Sequence, residues 1–282
     1  MDRKANFFAG PSTLPVPVLE ELKDTIVDFH DSGLSIIETS HRSKMYDQVH
    51  QEAGLLLREL LSIPDDFHVL FLGGGATLQF AMLPMNLLAD GKSCDFTMSG
   101  EWAKKAYTDA KKVGSVNVIF DGADGGYTSL PETLTTTDKA AYLHITSNET
   151  IGGVQWNRLP QSSGVPIAAD MSSDIMSRPF SFDQIGVVYA GAQKNLGPAG
   201  VTVVIIKKDL VEAASDSLPA YLSYKTHAEK DSLYNTPPVF SIYALKLVLE
   251  HVKMQGGVSA AERASDEKSN LIYNEIDSSG GF

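Results

Sequence analysis

From Val18, the apolar positions Leu19, Leu22, Ile26 and Phe29 recur at the spacing of one helix face. They follow Pro15 and Pro17 and precede Gly33, and so predict a first helix. A second is predicted from Met45 through Val49, Ala53, Leu56, Leu57 and Leu60, because Pro64 prevents its continuation. The period then changes. His68 to Leu72 is a short apolar run closed by Gly73, Gly74 and Gly75, and helical spacing resumes from Ala76 to Leu88, which reads as strand, glycine turn and helix. The alternation continues with a strand at Cys94 to Met98, a helix at Glu101 to Lys112 and a strand at Val116 to Phe120. Short apolar runs at Ala140 to Ile145, Pro166 to Ala169, Val187 to Tyr189 and Val201 to Ile206 predict further buried strands. Beyond Lys207 the strand signal fades. Pro237 to Gln255 is helical in pattern until Gly256 and Gly257, and another helix is predicted from about Val258, carrying Ala261, Ala264, Leu271 and Ile272 toward Phe282. Apolar runs without polar alternation, interleaved with helices, imply an α/β fold with a mostly parallel sheet covered on both faces.

Composition narrows this picture. The 282 residues allow one large domain or two ordinary ones, and 43% apolar with 21% charged residues excludes disorder. With no internal repeat, Pro-rich linker or block of like charge, one large domain is expected. The net charge of −12 opposes a phosphate backbone, so neither nucleic acid nor an anionic membrane is expected as a partner, and any anionic ligand must be captured locally. Cys94, the single cysteine, can form neither an internal disulfide nor a cysteine-based metal site. The first residues lack the apolar run of a secretory leader, and no stretch approaches the ~20 apolar residues that span a bilayer. A soluble, cytoplasmic protein is expected.

Several residues could carry chemistry. Lys194 lies in Tyr189-Ala-Gly-Ala-Gln-Lys-Asn-Leu-Gly-Pro-Ala-Gly200, among small residues between two apolar strands. A lone lysine on a turn is ordinarily solvated. One held among small residues against a ligand loses water and shifts toward the nucleophilic amine that a Schiff base needs. Asp170 closes the run Pro166-Ile-Ala-Ala-Asp170 and so belongs at the carboxyl end of a buried strand, where open α/β sheets bind ligands. It could cap the following serine turn, or pair with a pyridine nitrogen and keep it protonated. The glycines at 73–75 sit between strand and helix and suit a phosphate, although no Walker loop or dinucleotide fingerprint is present. Trp102, in Gly100-Glu-Trp, could stack on a flat cofactor or fill a core. His41 and Arg42 offer a cationic fork for phosphate or carboxylate, or a surface ion pair. Asp121-Gly-Ala-Asp124 lacks the ladder of a calcium loop and reads as a turn.

Taken in order, Asn6-Phe-Phe-Ala-Gly-Pro-Ser-Thr-Leu-Pro15, Ser40-His-Arg-Ser43, Gly73-Gly-Gly-Ala-Thr-Leu-Gln-Phe80, Asn148-Glu-Thr-Ile-Gly152, Ala169-Asp-Met-Ser-Ser173, Gly191-Ala-Gln-Lys-Asn195 and Tyr234-Asn-Thr-Pro-Pro238 form a pattern. It resembles the phosphoserine aminotransferase family, class V, fold-type I enzymes that use pyridoxal 5′-phosphate, and the resemblance spans nearly the whole chain. It implies a mostly parallel mixed sheet flanked by helices. It also implies an N-terminal segment over 1–15, a large cofactor-binding domain over 16–257 and, at 258–282, the start of a small C-terminal domain that the chain does not continue. By that resemblance Lys194 holds the cofactor and shuttles a proton, Asp170 meets the pyridine nitrogen, Trp102 stacks on the ring, and Thr150 lies beside the phenolic oxygen. Gly75, Ala76 and Gln193 fall at phosphate positions. Asn235 and Thr236 reach the phosphate from the other subunit of a homodimer, and His41 with Arg42 meets the substrate's phosphate across the same interface. No metal is implied. The implied reaction passes an amino group from L-glutamate to 3-phosphohydroxypyruvate, in serine biosynthesis. Two alternatives stay open: another class V aminotransferase, or a cofactor-binding form with little turnover, since part of the family's substrate clamp lies in the small domain. A cysteine desulfurase would need a mobile cysteine, and Cys94 falls in a predicted strand.

Overall fold

The protein is described here by a computed structural model covering residues 3–88 and 91–280, so Met1, Asp2, Gly281 and Phe282 of the sequence reading lie outside the described residues. Two helices, α1 (Val16–Val27) and α2 (Lys44–Leu61), precede the first strand. The first starts on a proline-rich turn and buries Val18, Leu22 and Thr25 on one face. The second is capped by the Ser43 hydroxyl, which accepts from the Tyr46 amide, and ends where Ser62 adopts a left-handed conformation. There follow β1 (Phe67–Leu72), α3 (Gly75–Leu87), β2 (Ser93–Met98), α4 (Glu101–Val113), β3 (Ser115–Asp121), β4 (Ala140–Thr146), β5 (Ile167–Asp170), β6 (Ile185–Gly191) and β7 (Thr202–Lys207). The chain closes with the short helices α5 (Lys208–Glu212) and α6 (Tyr224–Glu229), then α7 (Val239–Met254) and α8 (Val258–Ser278).

All seven expected strands join one sheet in the order β1-β7-β6-β5-β4-β2-β3. Pairs among β6, β5, β4, β2 and β3 are parallel, whereas β7 runs antiparallel to both its neighbours. The sheet is therefore mixed but mostly parallel. Strand alternation divides the core in two. Leu143, Ile145, Ile167, Ala169, Val188, Ala190, Val203 and Ile205 face one side with residues of α1, α2 and α7. Tyr142, Ala168, Val187, Tyr189, Val204 and Ile206 face the other with residues of α3, α4 and α6. The central strands β4, β5, β6 and β7 are thus apolar on both faces, which explains runs without polar alternation, whereas the edge strand β3 buries no residue fully. α5 and α6 escape a periodicity reading because each is shorter than two helical turns. On α8 only Val258 is fully buried, while Leu271, Ile272 and Tyr273 are exposed. Among the described residues no helix is long and apolar enough to cross a membrane.

Candidate active site

β1 is antiparallel to β7 and β7 to β6, so β1 points the same way as the parallel strands. Their carboxyl ends meet along one edge, and the segments leaving it line one cleft: Gly75, Ala76, Thr77, Trp102, Thr146, Asn148, Thr150, Asp170, Ser172, Ser173, Gln193 and Lys194. Seven expected residues are brought together here. Asp170 occupies the last position of β5, paired with Thr146 and Tyr189 in the flanking strands, so the sheet itself fixes it. One carboxylate oxygen accepts from the Ser172 amide at 2.9 Å, and burial pushes the carboxyl up to about 6 against an opposing pull from that bond and from Lys194. Among the described residues no Lys, Arg or His nitrogen forms an ion pair with Asp170.

Lys194 leaves the end of β6 and its Nζ donates to the Thr150 hydroxyl. Burial lowers its affinity for a proton, with Asp170, Asp174 and Glu149 opposing that shift. The N-terminal segment runs over its aliphatic stem: a Cβ on Gly10 would lie 3.1 Å from Lys194 Cγ, and the Ser12 amide donates to the Gln193 carbonyl at 2.8 Å. Gly74 and Gly75 take left-handed conformations, φ 86° and 67°, that only glycine adopts without strain, and α3 starts there without a side-chain cap. The uncapped amides and the positive end of the helix dipole face the cleft. Trp102 stands in the first turn of α4 with Lys194 Nζ 5.8 Å from its ring centre.

The second tier of contacts was only partly visible in the chain. Asn148 and Ser173 brace one another, Asn148 Nδ2 donating to Ser173 Oγ and Ser173 Oγ to the Asn148 carbonyl, both at 2.8 Å. The Ser147 hydroxyl donates to Asp174 and to the Asp170 carbonyl, tying β4 to β5 below the cleft. The signal for these residues was their adjacency to Thr150 and Asp170. Asn235 and Thr236 are exposed and line a different hollow, with Gly73, Tyr221, His227 and Ser232. His41 and Arg42 sit in the turn before α2, outside the cleft. Cys94 is buried in β2 and its thiol is pushed up to about 11, an inert position. No cluster of potential metal ligands occurs among the described residues.

This arrangement of sheet, lysine and aspartate is that of a defined class of protein: the Aminotransferase class-V family profile matches residues 5–282, and the chain belongs to that family. Within it, the phosphoserine aminotransferase of Geobacillus kaustophilus (strain HTA426) is 50% identical over 284 residues, spanning 100% of this chain and 79% of that relative. The solved phosphoserine aminotransferase from Bacillus circulans subsp. alkalophilus superposes with a TM-score of 0.96 at 48% identity, covering 98% of this chain and 77% of that one. A phosphoserine aminotransferase from Trichomonas vaginalis, solved with pyridoxal phosphate bound, matches with a TM-score of 0.90 at 34% identity, covering 98% and 82%.

Proposed function

We propose that the cleft binds pyridoxal 5′-phosphate and exchanges an amino group between L-glutamate and 3-phosphohydroxypyruvate, giving O-phospho-L-serine and 2-oxoglutarate. The observation that carries this reading is the meeting of Lys194, Thr150, Asp170, Trp102 and the glycine-led start of α3 in one cleft, on a chain whose relatives are phosphoserine aminotransferases. The residues fit the cofactor. Among the described residues the buried Trp102 Nε1 and Thr146 Oγ1 have no hydrogen-bond partner and Asp170 forms no ion pair, and the uncapped amides of α3 suit a phosphate.

When bound, pyridoxal phosphate supplies an electron sink for charge developing at the substrate Cα. Lys194, its amine loosened from its proton by burial, is the group that takes the proton from Cα and returns it to the carbon that receives the amino group. Thr150 holds Nζ in place. Asp170 offers its carboxylate to the pyridine nitrogen, Trp102 offers a ring face, and Gly75, Ala76 and Gln193 offer donors to the phosphate. Asn235, Thr236, His41 and Arg42 are read as acting on the cleft of a second copy, which makes the enzyme a homodimer with shared sites. Asn235, Thr236 and Arg42 are exposed, and none of the four lines the cleft of its own chain, which supports that reading. Residues 16–257 are read as the large domain and α8 as the opening of a smaller one, whose outer face at Leu271 and Ile272 is uncovered. A cytoplasmic location agrees with the free Cys94 thiol. Assaying the purified chain with phosphoserine and 2-oxoglutarate tests the function. Release of glutamate is expected; cofactor binding without turnover would favour the cofactor-binding form, and turnover of other amino donors only would favour another class V aminotransferase.

A further inference from the structure

Glu149 is fully buried, and among the described residues no Lys, Arg or His nitrogen forms an ion pair with it. Its carboxylate reaches from the turn after β4 to the start of α4. Oε2 accepts from the Trp102 amide at 3.0 Å, and Oε1 accepts from the Ala103 amide at 2.9 Å and the Ser99 hydroxyl at 3.3 Å. These amides are the second and third of α4, which has no side-chain cap of its own because its N-cap is Gly100. The glycine is demanded by space: a Cβ at Gly100 would lie 2.7 Å from the Glu149 carboxyl carbon. The backbone of Glu149 is equally fixed, its amide donating to the Val154 carbonyl at 2.9 Å and its carbonyl accepting from the Gly153 amide at 2.7 Å. The next residue, Thr150, accepts from Lys194 Nζ.

We infer that Glu149 is a positioning residue, a buried carboxylate cap borrowed from another segment that locks the Trp102 ring and the Thr150 hydroxyl into one rigid unit around the cofactor. This rests on the reading of the cleft as the cofactor site. A cap belonging to α4 itself would serve the helix equally well, since two amides and a helix dipole are satisfied by any local acceptor. Only a cap from the β4 turn also fixes the distance between Trp102 and Thr150. The chemistry needs that distance held, because a displacement of about 1 Å in a positioned group can lower a rate about a hundredfold.

The test separates capping from positioning. Glu149→Ala removes both. Glu149→Ala with Gly100→Asp, where the space vacated by the carboxylate admits a side chain, returns a cap to α4 and leaves the tie broken. Three quantities are read on each variant: thermal unfolding without cofactor, pyridoxal phosphate affinity by quenching of tryptophan fluorescence, and the visible circular dichroism of the loaded protein. The double variant is expected to recover unfolding temperature yet bind the cofactor about tenfold more weakly, with an altered dichroic band and a larger loss in kcat than in KM. Recovery of affinity and dichroism together with stability would overturn the inference and leave Glu149 as a cap alone. Should the alanine variants fail to fold, Glu149→Gln, the same in shape but presenting an amide to one of the two backbone N–H groups, gives the same reading: weaker binding supports the tie, and unchanged binding and dichroism overturn it. Absence of cofactor binding by the unaltered chain would instead remove the reading of the cleft, a separate failure.

Discussion

The carboxyl edge of the sheet and the exposed rim around it carry the same kinds of residue under opposite constraints. At the edge, Asp170 is the last paired residue of β5 and Lys194 follows β6 by three positions, so the backbone ladder fixes both and burial shifts both from their ordinary protonation. On the rim, Asn235, Thr236 and Arg42 are exposed outside any strand or helix, and no backbone ladder fixes them. Function at the edge is written into one chain. On the rim the proposed function requires a second copy of the chain to give those residues an object.

The largest expected effect breaks the edge. Lys194→Ala should lower transamination at least about a thousandfold, because it removes the proposed covalent anchor and proton carrier together. Turnover of phosphoserine measures this, and borohydride reduction followed by peptide mapping should leave the cofactor on Lys194 in the unaltered protein; a label on another lysine would refute the assignment. Asp170→Asn should cost about a hundredfold in turnover. It should also stabilise the cofactor-free protein at pH 8. The folded carboxyl titrates near 6 against an ordinary value of 3.8, so ionisation opposes folding. The protonated form's contribution is complete below pH 3.8 and is lost as pH rises through 6, worth up to about 3 kcal/mol by linkage. Denaturant unfolding at pH 3.5 and pH 8 checks the sign: a variant less stable than the parent at pH 8 would mean Asp170 serves the fold.

A smaller effect sharpens the contrast on the rim. Lys194→Ala and an Asn235→Ala, Thr236→Ala double variant should each be poorly active. In a mixed dimer one of the two sites regains both an intact lysine and an intact rim, so an equal, fully exchanged mixture should recover about a quarter of the parent activity. Two inactive chains that never complement after subunit exchange would show that the rim acts on its own chain or not at all.

The same contrast decides what could be read from the chain. Strands such as Val201 to Ile206 and Val187 to Tyr189 were legible because burial on both faces leaves no polar alternation, and Asp170 was legible because it ends such a run. The roles of Thr150, Gln193, Asn235 and Thr236 were not: nothing in their spacing marks them, and only resemblance to a family pointed to them. The Glu149 cap was hidden for a physical reason. Its partners, Ser99, Trp102 and Ala103, are nearly fifty positions away and meet it only because β2 lies beside β4. The passage of Gly10 and Ser12 over Lys194 was hidden likewise, since a local pattern carries no information on contacts that tertiary packing creates.

The smallest effect belongs to α8. Leu143 in β4 is wholly buried, and Leu143→Ala should cost about 2–5 kcal/mol through lost burial and the cavity left behind. Leu271 is 73% exposed on α8, beside Ile272 at 58% and Tyr273 at 64%, so within this chain it has little to lose. Leu271→Ser should change the unfolding free energy by less than about 0.5 kcal/mol while raising solubility, since it interrupts an uncovered apolar face. Urea unfolding of both variants at two protein concentrations makes the comparison. A cost above about 1 kcal/mol for Leu271→Ser that grows with concentration would mean that another copy covers α8 in solution, because only association makes an exposed residue's contribution depend on concentration. A concentration-independent cost of the same size would place the cover within the chain and contradict the exposure of this helix face.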